Sequence, residues 1–367
     1  MKKTILLLVA IALTSAKMMA EGLTATLQQG ETMTAFYGVN AFVDAYNAAE
    51  DGAVITLSEG KFNDVSSIEK SITVVGNMAF DVEGYEKTYL SGTTVNADNV
   101  TLEGIYFTGN VDLGNINNCH IKRCRIGEQL SYIDNTTHTN TLIDQCVIKI
   151  ENAMLTSRNY CLKNSTIDYF NYSSSSEYIA YITNCYICYY CLFTYRSSYW
   201  GGSYNPYANP YAVYKNNILG IDCQNNGSWT MNLYSPSEFY NNYFYRTTTF
   251  EGYEGNYILY TFNSGCINQG NQNSGDKSVY ISDSDNFNGK YKIDSFGMLG
   301  DDGTPVGITG GSGFSPYPSI PRITSKQIDS KTDSEGKLNV KITVSTEETL
   351  VKEEKPKEGT GEDTTGE

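Results

Sequence analysis

Histidine is nearly missing from this chain: His120 and His138 are the only two in 367 residues. They stand too far apart in sequence to suggest one site, so a nucleophile–histidine–acid triad has little material. Basic residues are also scarce. Twenty-six Lys and Arg face 41 Asp and Glu, a formal net charge of −15. An acidic surface repels phosphate backbones, which argues against nucleic acid and fits neutral glycans, basic partners or bound cations. Long apolar runs are confined to the first residues, and no later stretch is apolar enough for a membrane helix. Gly310-Gly311-Ser312-Gly313 lacks the Gly-Lys-Ser/Thr of a phosphate loop.

What the N-terminus holds is a secretory pattern. Lys2 and Lys3 give a positive start, Ile5 to Leu13 an apolar core, and Ala16 or Ala20 a small residue before the cut. The apolar run is too short to span a bilayer. The first cysteine is Cys119, so an N-terminal lipid anchor is not expected. Removing residues 1–20 takes away Lys2, Lys3 and Lys17 and no acid, which moves the net charge from −15 to −18. The mature chain is expected to be a soluble, exported protein.

A short motif recurs in the middle of the chain. Its copies are Asn118-Cys119-His120-Ile121, Gln145-Cys146-Val147-Ile148, Asn164-Ser165-Thr166-Ile167 and Asn184-Cys185-Tyr186-Ile187. Weaker copies are Gly104-Ile105-Tyr106-Phe107, Asn216-Asn217-Ile218-Leu219 and Asn241-Asn242-Tyr243-Phe244. Most spacings fall near 20 to 30 residues, the range in which repeats stack as solenoids. One such strand cannot bury its apolar face alone, whereas a stack can. Nine or ten coils are expected. Cys119, Cys146 and Cys185 read as one slot, filled elsewhere by Ser165, Asn217 and Asn242. A slot shared by Cys, Ser and Asn predicts an interior ladder of small side chains, with most of the nine cysteines as buried free thiols.

Ahead of the repeat, Phe42, Val43, Tyr46 and Ala49 follow helical spacing, and Gly52 reads as the helix stop. Ala53 to Leu57, Ser71 to Gly76 and Val100 to Phe107 read as strands. A helix before a strand stack suits a cap over an open solenoid end. The helix, the DGAVITLSEGKF turn and the segments SITVVGN and NVTLEGIYFTGN resemble the start of the pectate-lyase-like right-handed parallel β-helix superfamily. The resemblance covers about 36–110, and continues through the repeat to about 270. It implies an all-β fold, a right-handed parallel β-helix (solenoid) with an N-terminal cap helix and a short C-terminal β cap. The superfamily holds polysaccharide lyases, hydrolases, adhesins and proteins with no known reaction, so it is nearly silent on activity.

The expected organisation is a signal peptide at 1–20, cap helix and first coil at 21–69, parallel β-helix at 70–295, a C-terminal cap and strand segment at 296–346, and an acidic tail at 347–367. Lys337 to Val344 alternates as a strand. The tail holds eight acids and three lysines and is expected to be disordered. The segment at 301–323 looks similar to the closing part of secreted β-helix proteins of Gram-negative anaerobes, which implies secretion or retention at the cell surface or in the periplasm.

Chemistry finds little foothold. A calcium-dependent lyase needs clustered carboxylates. Asp112, Asp134, Asp144, Asp168 and Asp222 lie near strand ends, yet none has a second acid two residues away in a shared slot. Arg123 and Arg125 read as one strand face. A hydrolase needs two facing carboxyls, and the nearest pair, Asp144 and Asp168, is offset onto different strand positions. Cys185-x-x-Cys188-x-x-Cys191 lacks the fourth cysteine of an iron–sulfur run. Asp283 to Gly289 misses calcium-loop spacing and reads as a turn. No cofactor and no metal are expected.

Aromatics are the abundant resource. Between Tyr160 and Tyr260 lie 21 of the 30 tyrosines. Tyr195, Tyr199, Trp200, Tyr204, Tyr207, Tyr211 and Trp229 are the candidate ligand-binding residues, on and beside a Gly-, Pro- and Asn-rich loop at 194–211. Aromatic faces stack on sugar rings while Tyr hydroxyls and Asn amides bond their hydroxyls. The expected function is an exported, non-catalytic module binding carbohydrate or another surface protein through this flank. A polysaccharide lyase or glycoside hydrolase, and a structural or surface-assembly protein using 296–346 for docking, are the alternatives.

Overall fold

Short β-branched and aliphatic segments recur because each needs a neighbour on both sides, and the computed structural model shows how they find one. It describes residues 22–82, 84–133, 138–154, 160–173, 179–191, 211–221, 231–233, 238–246, 260–262, 267–273, 299, 303–319, 322–328 and 340–345. The chain divides into two units, Met1–Pro318 and Ser319–Glu367.

The first unit is an all-β, parallel-strand solenoid. Its first sheet has 12 strands, two of them an antiparallel hairpin at Thr24–Gln29 and Thr32–Tyr37. The other ten stack in parallel, from Val54–Leu57 to Ile267–Gln269. A second sheet of ten strands runs from Gly60–Lys61 to Gln272–Asn273, and a third of four from Ser67–Ile68 to Leu130–Tyr132. Each rung thus gives one strand to the first sheet and then one to the second.

Register explains the core. Ile55, Val74, Leu102, Ile121, Ile143, Leu162, Ile182, Tyr214 and Phe239 stand directly above one another in the first sheet. All are buried. Burying one such side chain stabilises the fold by about 1.5–3 kcal/mol relative to leaving it in water. The ladder ends in aromatics: Tyr214 and Phe239 stack at 4.7 Å with planes 6° apart.

Between the first and second sheets the chain turns on a single residue. Gly104, Arg123, Gln145, Asn164, Asn184, Asn216, Asn241 and Gly270 all take positive φ, from 44° to 68°. Asn and Gly tolerate this left-handed conformation best, which is why the repeat begins on Asn. The corner splits the stretch Val100 to Phe107, expected as one strand, into Thr101–Glu103 and Tyr106–Phe107. It also corrects the repeat register. Asn118-Cys119 precedes a strand of the first sheet, where His120 pairs with Leu142. The copy aligned with Cys146 is Arg123-Cys124, since Arg125 pairs with Val147. Cys124, not Cys119, shares the slot. Arg123 occupies the corner and Arg125 a strand of the second sheet, so they do not form one strand face.

At the N-terminal end the helix α1, Ala41–Ala48, buries Ala41, Phe42, Ala45 and Tyr46. Gly52 does not stop it. Ala49 already turns extended, and Lys70 Nζ donates to the carbonyls of Tyr46, Asn47 and Ala49 at 2.7, 3.2 and 2.8 Å. A cation on the last carbonyls satisfies them and complements the helix dipole. Gly52, at φ 85°, makes the next turn.

Residues 303–318 run back along the solenoid over the left-handed corner. Val306, Ile308 and Phe314 pack on Phe80, Val147, Tyr186 and Ile218. In the second unit, Arg322–Ile328 pairs antiparallel with Val340–Ser345. Among the described residues no helix is long and apolar enough to cross a membrane.

Candidate functional site

Tyr195, Tyr199, Trp200, Tyr204, Tyr207 and Trp229 lie outside the described residues. Tyr211 opens the strand Tyr211–Lys215 of the first sheet. What the structure does place are the strands on either side. Val147–Met154, Thr166–Ser173, Tyr186–Cys191, Ile218–Ile221 and Tyr243–Arg246 are consecutive neighbours in the second sheet. Their ends are therefore stacked. In sequence, the segments 155–159, 174–178, 192–210, 222–230 and 247–259 follow these five strands. Tyr195 to Tyr207 belong to the segment after Tyr186–Cys191, and Trp229 to the segment after the adjacent strand Ile218–Ile221, whose pairing is Tyr186 with Ile218 and Ile187 with Leu219. Neighbouring strands sit about 4.8 Å apart.

The outer face of the first sheet carries a different pattern, which the sequence reading did not assemble. Glu103, Lys122, Asp144 and Lys163 occupy one register on successive rungs. Alternating charge at this position is a cross-strand ladder. Arg123, at the corner, closes one end: its Nη1 lies 2.9 Å from Glu103 Oε1 and its Nε donates to Gln145 Oε1 at 3.1 Å. Asp144 is half-buried, and its Oδ1 has no hydrogen-bond partner among the described residues. Burial pushes its carboxyl above the usual value, against the opposing pull of Lys163, Lys122 and Arg123. Beside this row stand His120, lowered by burial and by Lys122, and Cys161, raised by burial. The signal in the sequence was a charge at a fixed offset from each corner residue, visible only once the register is known.

The other candidate acids do not converge. Asp112 lies in the third sheet and accepts a hydrogen bond from Ser131 Oγ. Asp144 and Asp168, expected on different strand positions, belong to different sheets, in Leu142–Asp144 and Thr166–Ser173. Asp134, Asp222 and Asp283 to Gly289 lie outside the described residues. Among the described residues no three His, Cys, Asp or Glu side chains are grouped to hold a metal ion. An open recess of about 530 Å³ lies in the cap, lined by Leu27, Thr34, Phe36 and Glu50 among others. Gln29 and Asp51 also line it, and Gln29 Oε1 accepts the backbone N–H of Glu50 at 3.0 Å.

Inside, the shared slot is a hydrogen-bonding column. Asn217 Oδ1 accepts the backbone N–H of Cys185 at 2.9 Å, and Asn217 Nδ2 donates to the carbonyl of Ile182 at 2.7 Å. Ser165 Oγ accepts from Cys146 N at 3.0 Å. Asn271 continues the column, accepting from Asn242 N at 2.9 Å. Cys119, Cys124, Cys146 and Cys185 are buried and unpaired, and Cys161 is half-buried and unpaired.

Comparison of the chain with protein-family models, with curated proteins and with solved structures finds no match in any of the three.

Proposed function

We propose that this chain is an exported, non-catalytic module of the right-handed parallel β-helix kind, similar to the pectate-lyase-like superfamily, that binds a carbohydrate or another surface partner through its tyrosine-rich flank. The observation that supports this reading is the stacking of strand ends. The segments that follow these stacked strands in sequence include the Tyr-, Asn- and Gly-rich stretches 192–210 and 247–259. A solenoid that lengthens its connections on one side only gathers them into a single surface. Repeated aromatic residues in these segments match the need of a chain ligand for repeated stacking contacts. Among the described residues, the long row of charges on the first sheet is an alternating ladder, whose Glu103 is tied to Arg123. Such a row suits strand pairing better than acid–base chemistry.

The test is binding of the exported chain to a panel of neutral and acidic polysaccharides, with release of new reducing ends and unsaturated products followed in parallel, with and without Ca²⁺. Binding without turnover is expected, weakened about tenfold or more by Trp200→Ala combined with Tyr204→Ala. Binding that survives both substitutions, or turnover abolished by one Asp→Ala change, rejects the reading.

A further inference from the structure

We infer that residues 304–318 act as a clasp that makes the rungs open together instead of one at a time. A solenoid touches only its nearest neighbours, so its rungs ordinarily fray from the ends. This chain adds a long-range tie. From Asn241 back to Gly104 the left-handed corner has seven residues, hence six steps of about 4.8 Å, roughly 29 Å. The segment spans all of it. Asn241 Nδ2 donates to Thr304 Oγ1 at 3.2 Å, and Gly307 N donates to the carbonyl of Asn216 at 2.8 Å. Asn164 Nδ2 donates to the carbonyl of Gly310 at 2.6 Å, while Ser315 N donates to Gln145 Oε1 at 2.9 Å. Phe314 meets Phe80 edge-on at 5.3 Å.

The corner amides thus do two jobs: they turn the chain, and their side chains grip a returning segment. The approach is close at two glycines. A Cβ on Gly307 would stand 2.7 Å from Ile218 Cδ1, and one on Gly104 would stand 2.5 Å from Pro318 Cγ. The tie also falls where it is most needed. Cys146 to Ser165 is a rung of 19 residues, whereas the rungs from Cys185 to Asn217, Asn242 and Asn271 take 32, 25 and 29. Longer connections cost more closure entropy, and these rungs are the ones the clasp crosses first. The inference stands whether or not the tyrosine flank binds a ligand.

Pulsed hydrogen exchange read by mass spectrometry across a urea series tests it on the full chain. In the parent protein, peptides covering 101–107, 160–167 and 211–221 are expected to lose protection at one shared urea midpoint. In Phe314→Ala with Ile308→Ala, and separately in the milder Gly307→Ala, the 211–221 peptide is expected to open first, by about 0.5–1 M urea. Separate midpoints in the parent protein, or one shared midpoint in both variants, overturn the clasp.

Discussion

The side-chain oxygen of Asn242 accepts two hydrogen bonds from Asn217, one from its backbone N–H at 3.0 Å and one from its Nδ2 at 2.9 Å. Both residues are buried. Each rung therefore finishes the polar accounting of the rung before it. In Asn217→Leu, the N–H of Cys185 and the carbonyl of Ile182 lose their partners inside the core. At about 1–3 kcal/mol for a stranded buried group, the expected loss is about 2–4 kcal/mol in urea denaturation. Asn217→Ser is expected to cost less, because Ser165 serves the same backbone N–H in its own rung.

The thiols give a second prediction. Burial pushes Cys119 and Cys124 up to about 12, and raises Cys146 and Cys185 as well. Only the thiolate reacts readily with alkylating agents. Peptide mapping after brief iodoacetamide treatment at pH 8 is expected to find these four unmodified in the folded protein and modified in urea, with half-buried Cys161 labelled before any of them.

Asp144 gives a pH dependence. Its folded carboxyl is raised above the usual 3.8, so the folded state holds its proton more tightly than the unfolded chain does. That stabilising contribution is complete below the unfolded value and is lost as pH climbs through the folded value. Asp144→Asn is therefore expected to raise the denaturation midpoint at pH 7, and the advantage should shrink as pH falls towards 4. A gain that is equal at both pH values contradicts the assignment.

Arg123 serves a carboxylate that is itself buried, with the Glu103 side chain 7% exposed. Removing one partner of such a pair costs more than the pair contributes. Arg123→Ala is expected to lose about 2–4 kcal/mol in a denaturant titration, and adding Glu103→Gln to it should recover part of that loss.

How much of this was legible from the sequence varied with the kind of interaction. The parallel stack was, because a strand only a few residues long cannot bury its face alone, and the repeat of Asn, a small residue and an aliphatic one marks the corner. The alignment of Cys119 failed for a physical reason. Asn99, Asn118 and Asn140 form a second row of left-handed residues, at φ 56°, 61° and 53°, before the first sheet. Asn followed by Cys therefore occurs at two different corners. The charged row of Glu103, Lys122, Asp144 and Lys163 was hidden for the same reason, since cross-strand neighbours depend on register and rungs vary in length. The end of α1 was also hidden, because Lys70 caps it from a later rung. The return of 304–318 over the corner was illegible, because its partners lie as far as 170 residues away in sequence.

The central claim is that successive rungs pair in parallel and in register. Cysteine trapping on the outer face of the first sheet tests it most directly. Lys122 pairs with Asp144, and Asp144 with Lys163. Adjacent rungs about 4.8 Å apart fall within disulfide reach, whereas two rungs, about 9.6 Å, do not. Mild oxidation should join the Lys122→Cys, Asp144→Cys pair and the Asp144→Cys, Lys163→Cys pair, and leave Lys122→Cys with Lys163→Cys open. Ready closure of that last pair, or failure of both adjacent ones, contradicts the stacked solenoid.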